Sequence, residues 1–329
     1  MDGSIATTTP TSLARDAAAR LGWSIEVLDD CGYLFELRRP DGARKVLIGG
    51  RSALNDAVAA RLAEDKHYAG VLMAREGLAV PRTARCMAEA HLLGQRYPTH
   101  AGYAPAHALA EACGYPLVVK PNALSHGRGV VLVEDETELE AAIDECWELG
   151  PIALAQERIE GTDFRFDFLD GDYLLGYERR PIRVVGDGAS TIGALIGALD
   201  PRFATEQALL SSWRVAEVFA ANDWRWDGVL AAGEVLDLDS PIRNLNAGCT
   251  ATLLPAIGDA LRAHCLRAAR ALGLRHFGVD LKLPSLAADP ADAVFIEINA
   301  SPLLVSIARL GHHEAAVAAE ARVLRATLP

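Results

Sequence analysis

The chain has 329 residues, of which 50% are hydrophobic and 23% are charged, so it can bury a large core and is not a disordered chain. Its 32 basic and 44 acidic residues give a formal net charge of -12, which argues against nucleic acid or an anionic membrane surface as the main partner. The longest uncharged apolar stretch, 188–199, is too short to cross a bilayer, and the polar N-terminus does not resemble a secretion signal, so we expect a cytoplasmic protein.

The cysteines and histidines show no pattern of metal ligands. The six cysteines are scattered without a Cys-x-x-Cys pair, and the histidines form no His-Glu-x-x-His motif. This distribution favours reduced cysteines packed in the core over a disulfide framework or a metal site. A zinc enzyme is therefore not expected.

The first part of the chain, residues 1–64, is predicted to form a small α/β lobe after a frayed polar start. A helical pattern over 13–21 precedes three β-rich runs, "WSIEVL", "YLFELRR" and "RKVLIGG", and Asp-Cys-Gly and Pro-Asp-Gly turn signals separate these runs. Ser52 can cap a helix that ends at position 62, and a second helix is expected over 66–76, with Gly77 after its end.

The middle of the chain alternates strands with a helix, as in an α+β lobe. Strands are predicted at 116–120, 129–133 and 152–157, and a helix at 138–148. In the run "DFRFDFL" that follows, three phenylalanines alternate with Arg165 and Asp167. Because side chains alternate along a strand, one face is predicted to be buried and the other free for chemistry.

The last part of the chain is predicted to begin with a helix over 259–272 and to end with a helix over 314–324. Two strands, "FGVDLKL" and "AVFIEIN", lie between these helices and are joined by a turn rich in Pro and Asp. These two strands are expected to complete the second lobe.

These two late strands carry the sharpest chemical signal. In "VFIEIN" alternation turns the apolar residues at 294, 296 and 298 to one side and Glu297 and Asn299 to the other. In "GVDLKL" the same rule buries the apolar residues and presents Asp280 and Lys282. If the strands are neighbours, Asp280, Glu297 and Asn299 form an all-oxygen site suited to Mg²⁺. A solvated sheet face is the alternative interpretation.

Two further features are typical of nucleotide sites. The strand "PLVVKP" delivers Lys120 ahead of the loop "NALSHGRGV", whose glycines allow backbone N–H groups to close over phosphates. In "AQERIEGTDFR" a strand end can present its backbone to an adenine edge, and an acidic residue beyond it can accept ribose hydroxyls. A flexible β-turn and an ordinary hairpin are the simpler alternatives.

The order of these features resembles the ATP-grasp carboxylate-amine ligases, most of all the ATP-grasp portions of cyanophycin synthetase and of bifunctional glutathione synthetase. Six segments carry the resemblance, which runs from about 65 to 313: Asp65-Lys66, "VVKPNALSHGRGV", "QERIEGTDFR", "ERRPIRVVGDGAST", "GVDL" and "EINASP". It implies an ATP-grasp fold of the α+β class over 65–329, in which two α/β lobes grip ATP. The ATP-binding subdomain is expected at about 115–190 and the metal-binding subdomain at about 225–329.

The resemblance also implies ATP and Mg²⁺, with Mn²⁺ as a second metal, small-molecule carboxylate and amine substrates, and the homodimer common in the family. Lys66 and Lys120 match the family's two ATP lysines, and Asp280, Glu297 and Asn299 match its magnesium ligands. The expected loop over the triphosphate consists of Ser125, His126, Gly127, Arg128 and Gly129. The expected adenine and ribose contacts are Glu157, Ile159 and Asp163.

Several basic residues are candidates for contact with phosphate or substrate. Relatives place arginines in the stretches that contain Arg165, Arg180 and Arg183, and these three remain alternatives. The candidates for stabilising a tetrahedral oxyanion are Arg243, Arg275 and Lys282, the last from strand alternation alone. We take Arg180, Arg243 and Lys282 as the catalytic candidates, and a solvent-facing lysine is the alternative for position 282.

The resemblance implies a ligase that forms an amide or peptide bond through an acyl phosphate, on small amino acids or peptides. A protein-modifying amino-acid ligase and an ATP-binding regulatory module are the alternatives. The regulatory interpretation predicts the loss of a metal ligand or an ATP lysine, and all of these positions carry competent residues. Cys249 stands where the relatives have a second glycine, which predicts an altered substrate pocket. His312 and His313 are expected either to contact substrate or to lie on the surface.

Overall fold

The computed structural model describes residues 8–124, 127–200, 203–210, 213–238 and 249–329. Three antiparallel sheets, of three, four and five strands, form the body of the molecule, and a two-stranded ribbon belongs to a smaller lobe. Within the described residues no helix combines the length and the apolar character needed to cross a membrane.

The N-terminal sheet contains the strands β1 (Ser24–Val27), β2 (Leu34–Arg38) and β3 (Arg44–Ile48), in that order. These three strands confirm the prediction made from the β-rich runs. One face of the sheet packs on α1 (Pro10–Arg20) and on the C-terminal helix α12 (His313–Thr327) through a shared apolar core. The end of the chain therefore completes the N-terminal lobe.

Two helices, α2 (Ala57–Glu64) and α3 (Lys66–Arg75), lead from this lobe to the body. The prediction that Ser52 caps the first of them is wrong. Asp56 is the cap, because its carboxylate accepts hydrogen bonds from the backbone N–H groups of Val58 and Ala59 at 2.8 and 2.9 Å. The second helix ends as predicted, with Gly77 in the left-handed region at φ 72°.

The four-stranded sheet has the order β4-β7-β5-β6. Its strands are β4 (Thr83–Met87), β5 (Leu117–Pro121), β6 (Val131–Val133) and β7 (Ile152–Glu157). The helices of this part are α4 (Leu92–Arg96), α5 (Ala104–Cys113) and α6 (Glu136–Leu149). Residues of α5 and α6 join the strands in one apolar core, which leaves the other face of the sheet available to the cavity described below.

The five-stranded sheet has the order β12-β9-β8-β13-β14. Its strands are β8 (Thr162–Leu169), β9 (Asp172–Pro181), β12 (Cys249–Leu254), β13 (His276–Leu283) and β14 (Val294–Asn299). Its apolar face packs on α3 and on α10 (Asp259–Leu272), and the three phenylalanines of β8 are at most 2% exposed there. The opposite face carries charged side chains.

The smaller lobe follows β9 and was not assigned helices from the sequence. It contains β10 (Arg183–Val185), α7 (Ile192–Leu199), α8 (Glu206–Leu210), α9 (Trp213–Ala221) and β11 (Val235–Asp237). These elements share a separate apolar core. The remaining short helix, α11 (Val305–Arg309), links the five-stranded sheet to α12.

Two expectations about the five-stranded sheet are wrong in detail. The pairing of β13 with β14 shifts after Asp280, so Phe295 turns into the core and Ile296 turns toward the cavity, against strict alternation. Arg165 and Asp167 do lie opposite the phenylalanines, but they are 7% and 3% exposed and form an ion pair at 2.6 Å. That part of the polar face is therefore buried.

Candidate active site

A cavity of about 580 Å³ lies between the four-stranded and five-stranded sheets. The charged side chains that line it from the two sheets are Lys120, Glu157, Asp163, Arg165, Arg179, Asp280, Lys282 and Glu297. Lys66, from the start of α3, lines it as well. Residues that are far apart in the sequence are thus brought to one surface.

The two predicted lysines approach the same point from different elements. The turn after β5 holds the start of α3, because the carbonyl and side-chain oxygens of Asn122 accept hydrogen bonds from the N–H groups of Lys66 and His67 at 3.2 and 3.0 Å. The Lys66 ammonium donates to the Leu124 carbonyl and lies 3.6 Å from the Glu297 carboxylate. This junction positions Lys66 at the end of β5, beside Lys120.

Lys120 is a buried cation without a direct partner. It is 5% exposed, and no described residue makes a hydrogen bond or ion pair with its ammonium group. Burial lowers the pKa of Lys120 to about 8, although the carboxylate of Glu297 opposes the shift. An anion at this point would remove the cost of the buried charge.

Asp280 stands at the centre of a buried charge network on the five-stranded sheet. Its carboxylate accepts hydrogen bonds from Arg165 at 2.6 Å, from the amide of Asn299 at 3.0 Å and from Arg179. Burial acts to raise the pKa of Asp280, but the two guanidinium groups outweigh it and hold this pKa below its usual range. The register explains the contacts, because Asp280 pairs with Arg165 on one side and Glu297 on the other.

The three predicted metal ligands do come together on this face. Asp280, Glu297 and Asn299 all line the cavity, and Asn299 contacts Asp280 directly. Two carboxylates and one amide oxygen are donors that a hard divalent cation accepts. In the structure, however, the Asn299 amide donates to Asp280 and two arginines occupy the carboxylate.

Lys282 lies on the cavity side of β13, as alternation predicts. Its ammonium is 3.1 Å from the carboxylate of Asp163, the residue expected at the ribose. The side chains are only 17% and 13% exposed, so this pair is part of the wall and does not face open solvent.

The glycine-rich loop forms one lip of the cavity. Gly127 and Arg128 line it, whereas Ser125 and His126 are outside the described residues. At Gly129, φ is 68° and a Cβ atom would lie 2.8 Å from the Leu149 side chain. Glycine is therefore required at this position both by the backbone and by the space.

The end of β7 supplies Glu157 and, after it, Ile159 to the cavity. The Glu157 carboxylate does not point freely into the space. It accepts hydrogen bonds from the backbone N–H and the Nε of Arg82 at 2.8 and 2.7 Å. These two hydrogen bonds fix the end of β7. The backbone of this strand end is the part that was expected to contact adenine.

Several predicted basic residues are not brought to the cavity. Arg180 is 58% exposed and pairs with Glu178, Arg183 is 63% exposed, and Arg275 pairs with Asp170 at 2.7 Å. None of the three lines the cavity within the described residues, and Arg243 lies outside them.

Arg179, one residue earlier than the predicted Arg180, is the cavity arginine that the sequence argument missed. Alternation from Tyr177, which also lines the cavity, would have identified it. Of the histidines, His313 pairs with Asp16 at 3.1 Å between α12 and α1, away from the cavity.

The N-terminal lobe closes the far end of the same cavity. Tyr33, Gly50 and Arg51 line it there, opposite Ser301 and Leu303 from the segment after β14. The cavity therefore extends past the two sheets that carry the lysines and carboxylates and includes a wall from the N-terminal lobe.

Sequence comparison finds relatives that include two differently named proteins. The chain is 22% identical to the bifunctional glutathione biosynthesis protein GshAB of Listeria innocua, over 88% of this chain and 37% of that protein. It is 27% identical to a cyanophycin synthetase of Crocosphaera subtropica, over 59% of this chain and 24% of that protein. The chain thus spans well under half the length of these relatives, and no protein-family model matches it.

Comparison with solved structures identifies the fold. A bifunctional glutathione synthetase from Pasteurella multocida superposes with a TM-score of 0.55 at 17% identity, covering 88% of this chain and 41% of that one. A D-alanine–D-alanine ligase from Bacillus anthracis, complexed with ATP, gives 0.51 at 14% identity, covering 83% and 68%. The expected α+β ATP-grasp fold and the resemblance to both groups of ligases are confirmed.

Proposed function

We propose that the protein is an ATP-dependent ligase that joins a small carboxylate to an amine through an acyl phosphate. The observation that supports this function most directly is the meeting of Lys66 and Lys120 with Asp280, Glu297 and Asn299 in one cavity. Separately, each feature has a simpler explanation, but a buried lysine that has no partner among the described residues and lies beside a cluster of oxygen ligands is suited to a metal-bound polyphosphate. The names of the relatives agree with a ligase.

The residues present fit ATP and a divalent metal. Lys120 offers a buried ammonium group that no described residue pairs and that a phosphate oxygen would satisfy, and the Gly127–Gly129 segment supplies backbone at the cavity lip. Glu297 faces the same space with Lys66 as its neighbour at 3.6 Å. A Mg²⁺ ion held by Asp280, Glu297 and Asn299 would neutralise phosphate charge when bound.

The chain's own side chains can then act on the charges that develop. A substrate carboxylate attacks the γ-phosphorus of ATP in line. The bond between this phosphorus and the bridging oxygen of ADP breaks, so ADP departs and the carboxylate becomes an acyl phosphate. Lys120 and Arg179 face the space where the phosphate charge collects. The amine next attacks the acyl carbon, loses a proton and expels phosphate, and Lys282 is positioned to donate to the oxyanion if it leaves Asp163.

A hydroxylamine trapping screen tests this function without knowledge of the amine. The protein is incubated with MgATP, hydroxylamine and a panel of amino acids and small carboxylic acids, and hydroxamate and ADP are measured. We expect hydroxamate and ADP in equal amounts with one class of acid, and neither product with the Glu297→Gln variant. If ATP binds but no acid in a broad panel yields hydroxamate, the proposed function is refuted for small acids, and a carrier-bound or protein substrate must be sought.

A further inference from the structure

Two helices bring a histidine and two glutamates together on the side of the four-stranded sheet that faces away from the main cavity. His107 lies on α5, and Glu136 and Glu140 lie one turn apart on α6. The His107 Nε2 atom is 3.0 Å from a carboxylate oxygen of Glu140 and 3.9 Å from one of Glu136. One ligand atom from each residue lies within 4.8 Å of the other two, and no other three His, Cys, Asp or Glu side chains of the described chain meet this condition.

Aromatic contacts hold the His107 ring in place relative to α6. The ring stacks on Tyr103 with a centroid distance of 6.3 Å, and Tyr103 stacks on Trp147 of α6 at 5.3 Å. The Tyr103 hydroxyl donates a hydrogen bond to Asp144 of α6 at 2.7 Å, and the Trp147 indole donates one to the Cys86 carbonyl at 3.1 Å. The imidazole is therefore oriented toward the two glutamates by contacts that do not involve them.

The contact between His107 and Glu140 has the distance of an ion pair without the direction of a hydrogen bond. Nε2 of His107 has no hydrogen-bond partner among the described residues, although the Glu140 oxygen is 3.0 Å away, so this oxygen lies off the N–H direction. Two atoms that each lie about 2.1 Å from a zinc ion are about 3.0 to 3.4 Å apart, for bond angles from a right angle to the tetrahedral value. The observed separation is that of two ligands of one ion.

The group is open to solvent through its carboxylates. The side chains of Glu136 and Glu140 are 73% and 40% exposed, and that of His107 is 33% exposed. Nε2 itself is buried, and the two carboxylate oxygens that lie 3.0 and 3.9 Å from it contribute to this cover. Because both glutamates are flexible surface side chains, their carboxylates can turn outward and admit an ion between themselves and the ring.

The charge pattern of α6 favours a cation at this place. Four acidic residues follow one another at four-residue spacing along the helix: Glu136, Glu140, Asp144 and Glu148. Like charges at this spacing destabilise a helix, and the favourable effect of the helix N-terminus does not reach beyond the first turn. His107 is the only basic side chain paired with Glu136 or Glu140 within the described chain, and it carries at most one positive charge against two negative ones. A divalent cation would balance both carboxylates.

We propose that His107, Glu136 and Glu140 bind a Zn²⁺ ion, which links α5 to α6 and leaves its remaining coordination positions to water. Zinc accepts an imidazole nitrogen together with carboxylate oxygens, whereas Mg²⁺ prefers oxygen ligands alone. The site is therefore chemically different from the all-oxygen group around Asp280. It does not rest on the proposed function, because α5 and α6 lie on the face of the sheet opposite the main cavity. Since the ligands come from two helices, chain order does not show them.

The test is isothermal titration calorimetry of the full chain with zinc chloride, in excess magnesium chloride and without nucleotide. We expect the wild type to bind one zinc ion that Glu140→Gln, a variant of nearly the same shape, binds at least tenfold more weakly. Glu145→Gln, at an exposed position of the same helix outside the group, is the matched control and should bind like the wild type. Zinc bound elsewhere on the chain is common to all three proteins and cancels in the comparison. Equal binding by Glu140→Gln and the wild type overturns the proposal and leaves an ion pair only.

Thermal unfolding separates the loss of a metal ligand from a damaged fold. A ligand that binds only the folded state raises the unfolding midpoint, so zinc should raise it for the wild type and Glu145→Gln but not for Glu140→Gln. In EDTA the midpoint of Glu140→Gln should equal or exceed that of the wild type, because one of the like charges along α6 is removed. A zinc-induced rise in Glu140→Gln as large as in the wild type contradicts the assignment.

Nuclear magnetic resonance of the chain labelled with ¹⁵N-histidine reports whether the imidazole is a ligand. Of the nine histidines, His107 is identified by the signal that is missing in His107→Gln. Zinc should shift the ring nitrogen signals of His107 in the wild type and in Glu145→Gln, and the same amount of zinc should leave them unshifted in Glu140→Gln. If the wild type binds zinc while its His107 signals stay unchanged, the ion is held elsewhere and the proposal is overturned.

Discussion

Lys120 offers the most direct measurement of the electrostatics of the cavity. Burial lowers its pKa from an ordinary value of 10.5 to about 8, which corresponds to about 3 kcal/mol against the charged form. A bound phosphate would favour the ammonium form and draw the pKa upward again. Nucleotide binding should therefore be accompanied by proton uptake, and this uptake can be calculated for each pH.

At pH 8 about half of the Lys120 side chains are neutral before binding, so about half a proton should be taken up for each ADP bound. The expected uptake is about one tenth of a proton at pH 7 and about nine tenths at pH 9. Isothermal titration calorimetry in buffers of different ionisation enthalpy measures this number directly. ADP in the presence of EDTA is the ligand, so that metal binding does not contribute.

The Lys120→Met variant should bind ADP more weakly and lose the pH-dependent part of the uptake. Lys45→Met, at a lysine that hydrogen bonds the Thr327 carbonyl outside the cavity, is the matched control and should behave like the wild type. Equal uptake by the wild type and Lys120→Met at pH 9 would refute the assignment of Lys120 to the phosphates.

The same pKa predicts how stability changes with pH. The folded-state pKa of Lys120 is below its unfolded value, so the unfolded chain binds more protons between about pH 8 and 10.5, and this contribution to stability rises with pH across that window. Below pH 8 the full free-energy cost of burying the charged Lys120 ammonium applies. Lys120→Met lacks it and should gain up to about 3 kcal/mol in unfolding free energy at pH 7, with a smaller gain at pH 9.5, measured by denaturant titration.

Further substitutions test the other assignments. Glu297→Gln should abolish hydroxamate formation at an intact fold. Among the described residues its carboxylate makes one ion pair, with Lys66 at 3.6 Å, and it favours the charged form of Lys120. Asp280→Asn should also abolish hydroxamate formation, but denaturant titration should show a loss of about 3 to 5 kcal/mol, because two buried guanidinium groups lose their counter-charge. Arg179→Ala should lower the trapping rate at least tenfold, whereas Arg180→Ala should leave it within about twofold, and the reverse order would contradict the side-chain directions along β9. Asp56→Ala should cost about 1 kcal/mol of stability through the loss of the α2 cap, with ADP affinity unchanged.

The part of the site that the sequence predicts depends on strand alternation and chain order. Asp280 and Lys282 face the cavity because β13 is regular over these positions, and the pairing with β14 brings Glu297 opposite Asp280. The same rule fails before Glu297, where a bulge turns Ile296 toward the cavity and Phe295 into the core. A bulge depends on how two strands fit together, and neither strand shows it alone.

Other features could not be inferred from local patterns, since they depend on distant contacts. Ser52 and Asp56 are both acceptable helix caps, but the helix begins at Ala57, directly after Asp56, and the Ser52 hydroxyl contacts His276 instead. Arg179 and Arg180 are adjacent residues with opposite directions, so the motif alone does not separate them, and the choice requires knowing that Tyr177 faces the cavity.

The network around Asp280 constrains how a metal can enter. The Asp280 carboxylate is engaged by Arg165, Arg179 and Asn299, so a metal at Asp280 requires that one of these contacts be given up. Arg165 is also held by Asp167 at 2.6 Å and is the more buried of the two arginines, whereas the further carboxylate that favours the charge of Arg179, Asp163, is paired with Lys282 at 3.1 Å. Of the two arginines, Arg179 is therefore the one that leaves more readily, and because it lines the cavity, its displaced charge would remain beside a bound phosphate or substrate carboxylate. If Asp280 binds the metal as we propose, metal binding and the release of Arg179 toward the reacting groups would be one rearrangement.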